Sequence, residues 1–136
     1  MRQIFSFFVL NLSNLSNLWF IYAIMKIIDA KNTGELNKIH QVKTGVLYST
    51  EHAMVVHITL QAGEQLKPHI TPVDVFFYVL EGTPTIAIGE EKQAVAAEHL
   101  VESPANIKHC IYNETGQVAR VLVVKAPRPT TETKVL

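Results

Sequence analysis

The feature that most constrains the fold is the stretch from Gly63 to Gly82, because its second half is apolar on both strand faces. Residues 73–80 are β-branched, aromatic or aliphatic, and Asp74 is the one charge among them. Such a run is typical of a strand covered on both sides. We predict a turn-like segment at residues 63–68, followed by a buried strand with one face lining a barrel interior. Alternation assigns one face to His69, Thr71, Val73, Val75, Phe77 and Val79, and the other to Asp74, Phe76, Tyr78 and Leu80.

Short strand candidates recur along the rest of the chain. They are rich in β-branched residues and bounded by turn residues, and they lie at residues 26–29, 45–48, 53–60, 85–88, 93–97, 107–112 and 118–124. No amphipathic pattern long enough for a helix of three turns accompanies them. Many short strands with regular turns indicate an all-β barrel or sandwich.

Two motifs in this strand-rich region resemble those of the cupin superfamily. The residues that fit by type and spacing are Gly63, His69 and Gly82 in the first motif and Pro104, His109 and Asn113 in the second. Glu98 and Asn106 stand where the second motif has glycines. The resemblance extends over roughly residues 36–127. It implies a single cupin domain with the fold of a double-stranded β-helix, which is a jelly-roll barrel.

The resemblance also implies a position for a metal. In cupins, two histidines and a glutamate of the first motif and a histidine of the second surround one divalent metal. His69 and His109 carry over by position, whereas Thr71 and Val75 occupy the two other ligand positions. The implied site for Fe, Mn, Ni or Zn is therefore weak or lost, and no metal at all is the alternative. Asp74 would join it if a one-residue bulge turned its side chain inward.

The remaining candidates have simpler interpretations. His57 is predicted to be a packed or interface side chain and His99 to lie in a surface turn, and either would reach the metal if the strand parity differed. Cys110 is predicted to be a small buried hydrophobe. Arg120 and Lys125 flank the last strand, and we predict that both are surface charges.

Two functions remain open. In the first, the barrel binds a small molecule in a pocket formed by Thr71, Val75, Phe77, His69 and His109, and its metal site is weak or lost. In the second, a metal-dependent enzyme of the dioxygenase or isomerase type uses His69 and His109. The missing glutamate favours the first, because two neutral imidazoles do not neutralise the metal's charge. Whether the chain is an enzyme stays open, since no other catalytic motif is present.

Charge and composition bear on the partners. The chain has 12 acidic and 12 basic residues and a formal net charge of zero, which argues against nucleic acid. A single cysteine excludes an intrachain disulfide and favours a reducing, cytoplasmic setting. Apolar residues on the outer face of the central strand, Phe76, Tyr78 and Leu80, predict a homodimer.

The two ends of the chain differ from the predicted barrel of residues 26–127. Residues 1–25 are apolar and contain one charged residue. They are interpreted as an extension that is not part of the native protein, as a membrane anchor that would attach the protein to a bilayer, or as a secretion signal. Residues 128–136 are predicted to be a loose tail, because Pro127 and Pro129 end the last strand.

Overall fold

The computed structural model describes residues 24–136 and the backbone of three short strands nearer the N-terminus. Every element in this part of the chain is a strand, and it contains no helix of the length and apolarity needed to cross a bilayer. The predictions for residues 1–25 fall largely outside the described residues. The strands are β1 (Gln3–Ile4), β2 (Phe7–Val9), β3 (Phe20–Tyr22), β4 (Ile27–Ile28), β5 (Glu35–Leu36), β6 (Lys43–Ser49), β7 (Met54–Leu60), β8 (Gln65–Ile70), β9 (Val75–Glu81), β10 (Thr85–Ile88), β11 (Glu91–Ala94), β12 (Leu100–Ser103), β13 (Lys108–Tyr112), β14 (Ala119–Lys125) and β15 (Lys134–Val135).

Two antiparallel sheets enclose the core. The larger has the strand order β12-β9-β14-β7-β6-β5, and the smaller has the order β11-β10-β13-β8-β15. The chain crosses from one sheet to the other between β8 and β9 and again between β9 and β10. The apolar residues buried between the sheets include Leu60, Phe77, Val79 and Val121 from the larger sheet and Leu66, Ile86 and Ile111 from the smaller. The prediction of an all-β barrel is confirmed.

The central stretch forms two strands, one in each sheet. β9 alternates as predicted, because Val75, Phe77 and Val79 are at most 4% exposed, while its even-numbered residues are half-buried on the outer face. The predicted turn at residues 63–68 is wrong, since Gln65–Ile70 pairs as β8. The turn is confined to the residues around Gly63, whose φ of 81° suits glycine.

His57 lies on the outer face of β7, as its parity predicts, and is covered by the segment that precedes β6. Its ring is 1% exposed and accepts a hydrogen bond of 3.1 Å from Arg120 Nε. Burial and then the Arg120 charge lower the His57 pKa. The covering segment lies close against the sheet, because a Cβ at Gly34 would overlap the Thr44 carbonyl oxygen. Arg120 is therefore a half-buried partner of His57 and not a free surface charge.

The C-terminal residues add a strand to the smaller sheet. In β15, Lys134 pairs with Ile70 and Val135 with His69, and the Leu136 N–H donates a hydrogen bond of 3.0 Å to the Pro68 carbonyl. The prediction of a loose tail is wrong for these residues. Because β15 borders β8, the end of the chain lies beside the histidine motif.

Candidate functional site

A β-bulge in β8 positions the first histidine of the site. His69 pairs directly with His109 of β13, and beyond this pair Lys67–Pro68 stands opposite Cys110 alone. The extra residue turns both Leu66 and His69 inward, although three positions separate them and a regular strand would direct them to opposite faces. A proline is tolerated at a bulge because the ladder there needs no N–H from it.

His69 and His109 meet inside the barrel. They are 5% and 2% exposed, and their Nε2 atoms lie 2.9 Å apart. The ring of Phe77, from the opposite sheet, stands perpendicular to His109 with centroids 5.2 Å apart. Thr71 Oγ1 is 3.4 Å from His109 Nε2. Four of the five predicted pocket residues are thus brought together, and the fifth, Val75, belongs to the apolar core.

The hydrogen bonds of the pair are consistent with one arrangement of two neutral rings. Lys67 C=O can only accept, so His69 Nδ1 donates to it at 2.7 Å and His69 Nε2 is left as an acceptor. His109 Nε2–H therefore donates to His69 Nε2. His109 Nδ1 then accepts from the Ser103 hydroxyl at 2.7 Å. Hydrogen bonds run in one direction, from Ser103 through both rings to the Lys67 carbonyl.

Burial keeps both rings neutral. It is the largest cause that lowers the His109 pKa to about 3, followed by repulsion from His69 and Lys125. Burial also lowers the pKa of His69, against the opposing effect of the hydrogen bond to Lys67. Each ring is thus uncharged at neutral pH, as the direction of the hydrogen bonds requires.

A third ring, His40, adjoins the pair, and no sequence motif indicated it. Its centroid lies 5.2 Å from that of His69, and its Nδ1 accepts a hydrogen bond of 3.1 Å from the Lys67 N–H. The bulge therefore contacts two histidines through Lys67: its N–H bonds to His40 and its C=O bonds to His69. Burial and then the neighbouring His69 lower the His40 pKa to about 4. His40 comes from an irregular polar segment, where sequence offers no periodicity to indicate its position.

A cavity of about 220 Å³ opens beside His69 and His40. Larger depressions, of about 700 and 750 Å³, lie along β10–β12 and along residues 33–46, away from the pair. Lys125 lines the interior cavity, so the prediction that it is a surface charge is wrong. The full lining is Asn37, His40, Thr44, Val46, Met54, Val56, Ile58, Leu66, His69, Val123, Lys125 and Thr133.

The family model described as a cupin domain matches residues 56–125, just over half of the chain. This chain is a cupin. Among curated relatives of this cupin, Uncharacterized protein MJ0764 of Methanocaldococcus jannaschii is 32% identical over 84 residues, which cover 61% of this chain and 72% of the relative. The resemblance noted in the two histidine motifs is thereby confirmed.

Solved structures share the fold of this cupin. TT1209 from Thermus thermophilus superposes with a TM-score of 0.68 at 30% identity, over 77% of this chain and all (100%) of that one. A protein with a double-stranded β-helix domain from Klebsiella pneumoniae has a TM-score of 0.70 at 15% identity, over 80% of this chain and 95% of that one. The predicted double-stranded β-helix is confirmed.

The residues of this cupin do not complete the metal centre that its fold family implies. Among the described residues, no three histidine, cysteine or acidic side chains are grouped to hold a metal. Asp74 does not turn inward; its exposed carboxylate accepts a hydrogen bond of 2.9 Å from the Ala105 N–H. His99 is exposed, and its Nδ1 is within hydrogen-bond distance of the Ala96 and Ala97 carbonyl oxygens. Two imidazoles with no carboxylate fall short of the three or four protein ligands usual at such sites.

Proposed function

We propose that this cupin binds a small molecule in the cavity beside His69, with a metal site that is weak or lost. The observation that carries the proposal is the mutual engagement of the two Nε2 atoms at 2.9 Å. A metal ligand must offer a lone pair, and in the neutral arrangement His109 Nε2 carries a proton. His69, held in place by its bond to His109, then contributes a fixed polar group to a cavity that apolar side chains also line, and such a combination is usual at a small-molecule site.

Loss of the carboxylate supports the same interpretation. Thr71 and Val75 occupy the other ligand positions, and the described residues supply no acidic group to balance a divalent charge near the pair. Binding a metal here requires the proton of His109 to move to Nδ1, where Ser103 Oγ would accept the hydrogen bond. It also breaks the bond between the rings. Both requirements weaken metal binding.

A metal-dependent enzyme is the second candidate, and the convergence of the rings favours it. The two Nε2 atoms lie 2.9 Å apart, which is close enough for both to contact a single ion after the bond between them is broken. This candidate needs ligands beyond the described protein groups, such as water or substrate oxygens.

Elemental analysis separates the two candidates. Untagged protein is compared with His69→Ala, His109→Ala and the exposed control His99→Ala after exposure to Fe, Mn, Ni and Zn and removal of excess metal. We expect substoichiometric metal in all four proteins. Near-stoichiometric metal that is lost only in the His69 and His109 variants would overturn the proposal in favour of the enzyme.

Ligand occupancy of the cavity is tested separately. NMR screening of small organic molecules is run on the wild type and on Val46→Phe, a change that fills the cavity from β6. We expect the wild type to bind members of the panel and the variant to lose them, with its fold verified by the dispersion of its amide spectrum. Equal binding by the two proteins would place the ligand elsewhere.

A further inference from the structure

We propose that the cavity is a site for a small organic carboxylate, whose charge is met by Lys125. The inference rests on the proposed function, because it names the class of molecule that the same cavity binds. It begins from a cation that strand alternation directs inward. Lys125 shares the parity of the buried residues Val121 and Val123 on β14. It pairs across the sheet with Met54, which lines the same cavity.

No acidic side chain balances this ammonium among the described residues. The cavity lining contains none, and the ion pairs in that part of the chain join Glu51 to His52, Glu114 to Lys92, and Glu81 to Arg120. Burial lowers the pKa of Lys125, and its charge in turn lowers the pKa values of His40, His69 and His109. A partly desolvated cation of this kind is stabilised when an anion enters its site.

The neighbouring groups of the cavity suit a carboxylate in particular. His40 Nδ1 accepts from the backbone, so the neutral ring carries its proton on Nε2 and offers a second donor. Asn37 and Thr44 add further donors to the lining. A carboxylate, with two acceptor oxygens, can meet an ammonium and a neutral N–H together.

The rest of the lining indicates an organic acid and not a bare inorganic anion. Val46, Val56, Ile58, Leu66 and Val123 are apolar and form one continuous lining with the polar residues. Such a surface favours a hydrocarbon skeleton, whereas a hydrated phosphate would lose water against it. A volume of about 220 Å³ equals roughly seven water molecules at ~30 Å³ each, which suits a short branched or monocyclic acid.

The test uses pairs of ligands that match in shape and differ in charge. Isobutyrate is compared with isobutyramide, and benzoate with benzamide, by NMR titration of the full chain. We expect each acid to bind about ten- to hundredfold more tightly than its amide, as for hydrogen bonds to a charged group. Lys125→Met should remove that preference, Lys125→Arg should retain most of it, and the exposed control Lys108→Met should leave it unchanged.

The outcomes distinguish this inference from the proposed function. Amides that bind as tightly as acids, or a preference that persists in Lys125→Met, would refute the role of Lys125 and leave the cavity as a small-molecule site. No binding of any of the four probes to the wild type would refute the carboxylate site, while the wider panel and Val46→Phe still decide the proposed function. Loss of the preference in Lys125→Met, with amide affinity unchanged, supports the carboxylate site.

Discussion

Ser103 orients the histidine pair through a single hydroxyl. It is 1% exposed and lies 2.7 Å from His109 Nδ1. By donating to this nitrogen, it places the ring proton on Nε2, where it meets His69. Ser103 thus supports the direction that the Lys67 carbonyl imposes at the other end of the pair.

Removing the hydroxyl should therefore destabilise the protein. Ser103→Ala leaves the buried Nδ1 of His109 without its donor, at a cost of about 1–3 kcal/mol in the free energy of unfolding. Urea denaturation measures the change, and Ser49→Ala, an exposed serine on β6, should be near neutral. A Ser103→Ala midpoint equal to that of the wild type would show that this hydrogen bond contributes nothing to stability.

The lowered histidine pKa values predict acid sensitivity. In the unfolded chain a histidine has a pKa near 6.5, whereas His109 in the folded protein has a pKa of about 3 and His40 of about 4. As pH falls below about 6.5 the unfolded state binds protons first, so stability is full above that pH and declines towards about pH 3. The urea midpoint of the wild type should therefore fall between pH 7 and pH 4. The midpoint of His109→Gln should fall less steeply over the same range. The exposed variant His99→Gln serves as control, and equal slopes in all three proteins would refute the assignment.

At the scale of strands, the turn between β13 and β14 is held by one amide. The Asn113 side chain is 1% exposed and donates to the carbonyls of Leu60, Gln61 and Gln117, while its Oδ1 accepts from Thr115. These contacts join the end of β7 to the β13–β14 turn. The asparagine of the second motif thus has a structural role here, at a distance from the histidine pair.

Asn113→Ala should lower the free energy of unfolding by about 2 kcal/mol, because it removes a donor from one buried and two partly buried carbonyls. Gln117→Ala, whose exposed side chain lies in the same turn, should have little effect. Thermal or urea unfolding measures both. A mild effect of Asn113→Ala, similar to that of the control, would show that water replaces the amide.

The sequence predicted the elements that local patterns indicate, and it missed the features that depend on contacts between residues far apart in the chain. Local alternation identified β7, β9 and β14, and the motif spacing singled out His69 and His109, which the fold brings together. The bulge at Lys67–Pro68 was missed because a proline in a polar stretch resembles a turn. His40 was missed because its contact with Lys67 spans 27 residues of sequence. Lys125 was assigned to the surface from its charge, although its parity with Val123 places it inside.

For the whole molecule, the outer face of the larger sheet carries a row of apolar side chains. Leu100 pairs with Tyr78, and Tyr78 with Leu122, so these apolar side chains form one row across three strands. Leu100 is 51% exposed, and the other two are half-buried. Apolar side chains exposed on one face of a sheet are typical of an interaction surface. We propose that a second copy of the chain covers this row.

We expect a homodimer formed through this face. Tyr78→Glu and Leu100→Glu should shift the mass measured by light scattering after gel filtration towards that of the monomer, because each buries a charge in the interface. Ile39→Glu, which alters an apolar residue 56% exposed at another position, should leave the mass unchanged. A wild-type protein that stays monomeric at high concentration would refute this proposal without affecting the cavity.

The main-chain carbonyl beyond His69 bars proton transfer through the pair. Lys67 C=O accepts the hydrogen bond of His69 Nδ1 but is too weak a base to take the proton itself. Among the described hydrogen bonds, the one behind His69 ends at this carbonyl, so a proton that reached His109 would not be passed on in that direction. Within the part of the chain that the structure describes, the two rings thus act as a fixed hydrogen-bonded pair and not as a relay towards Lys67.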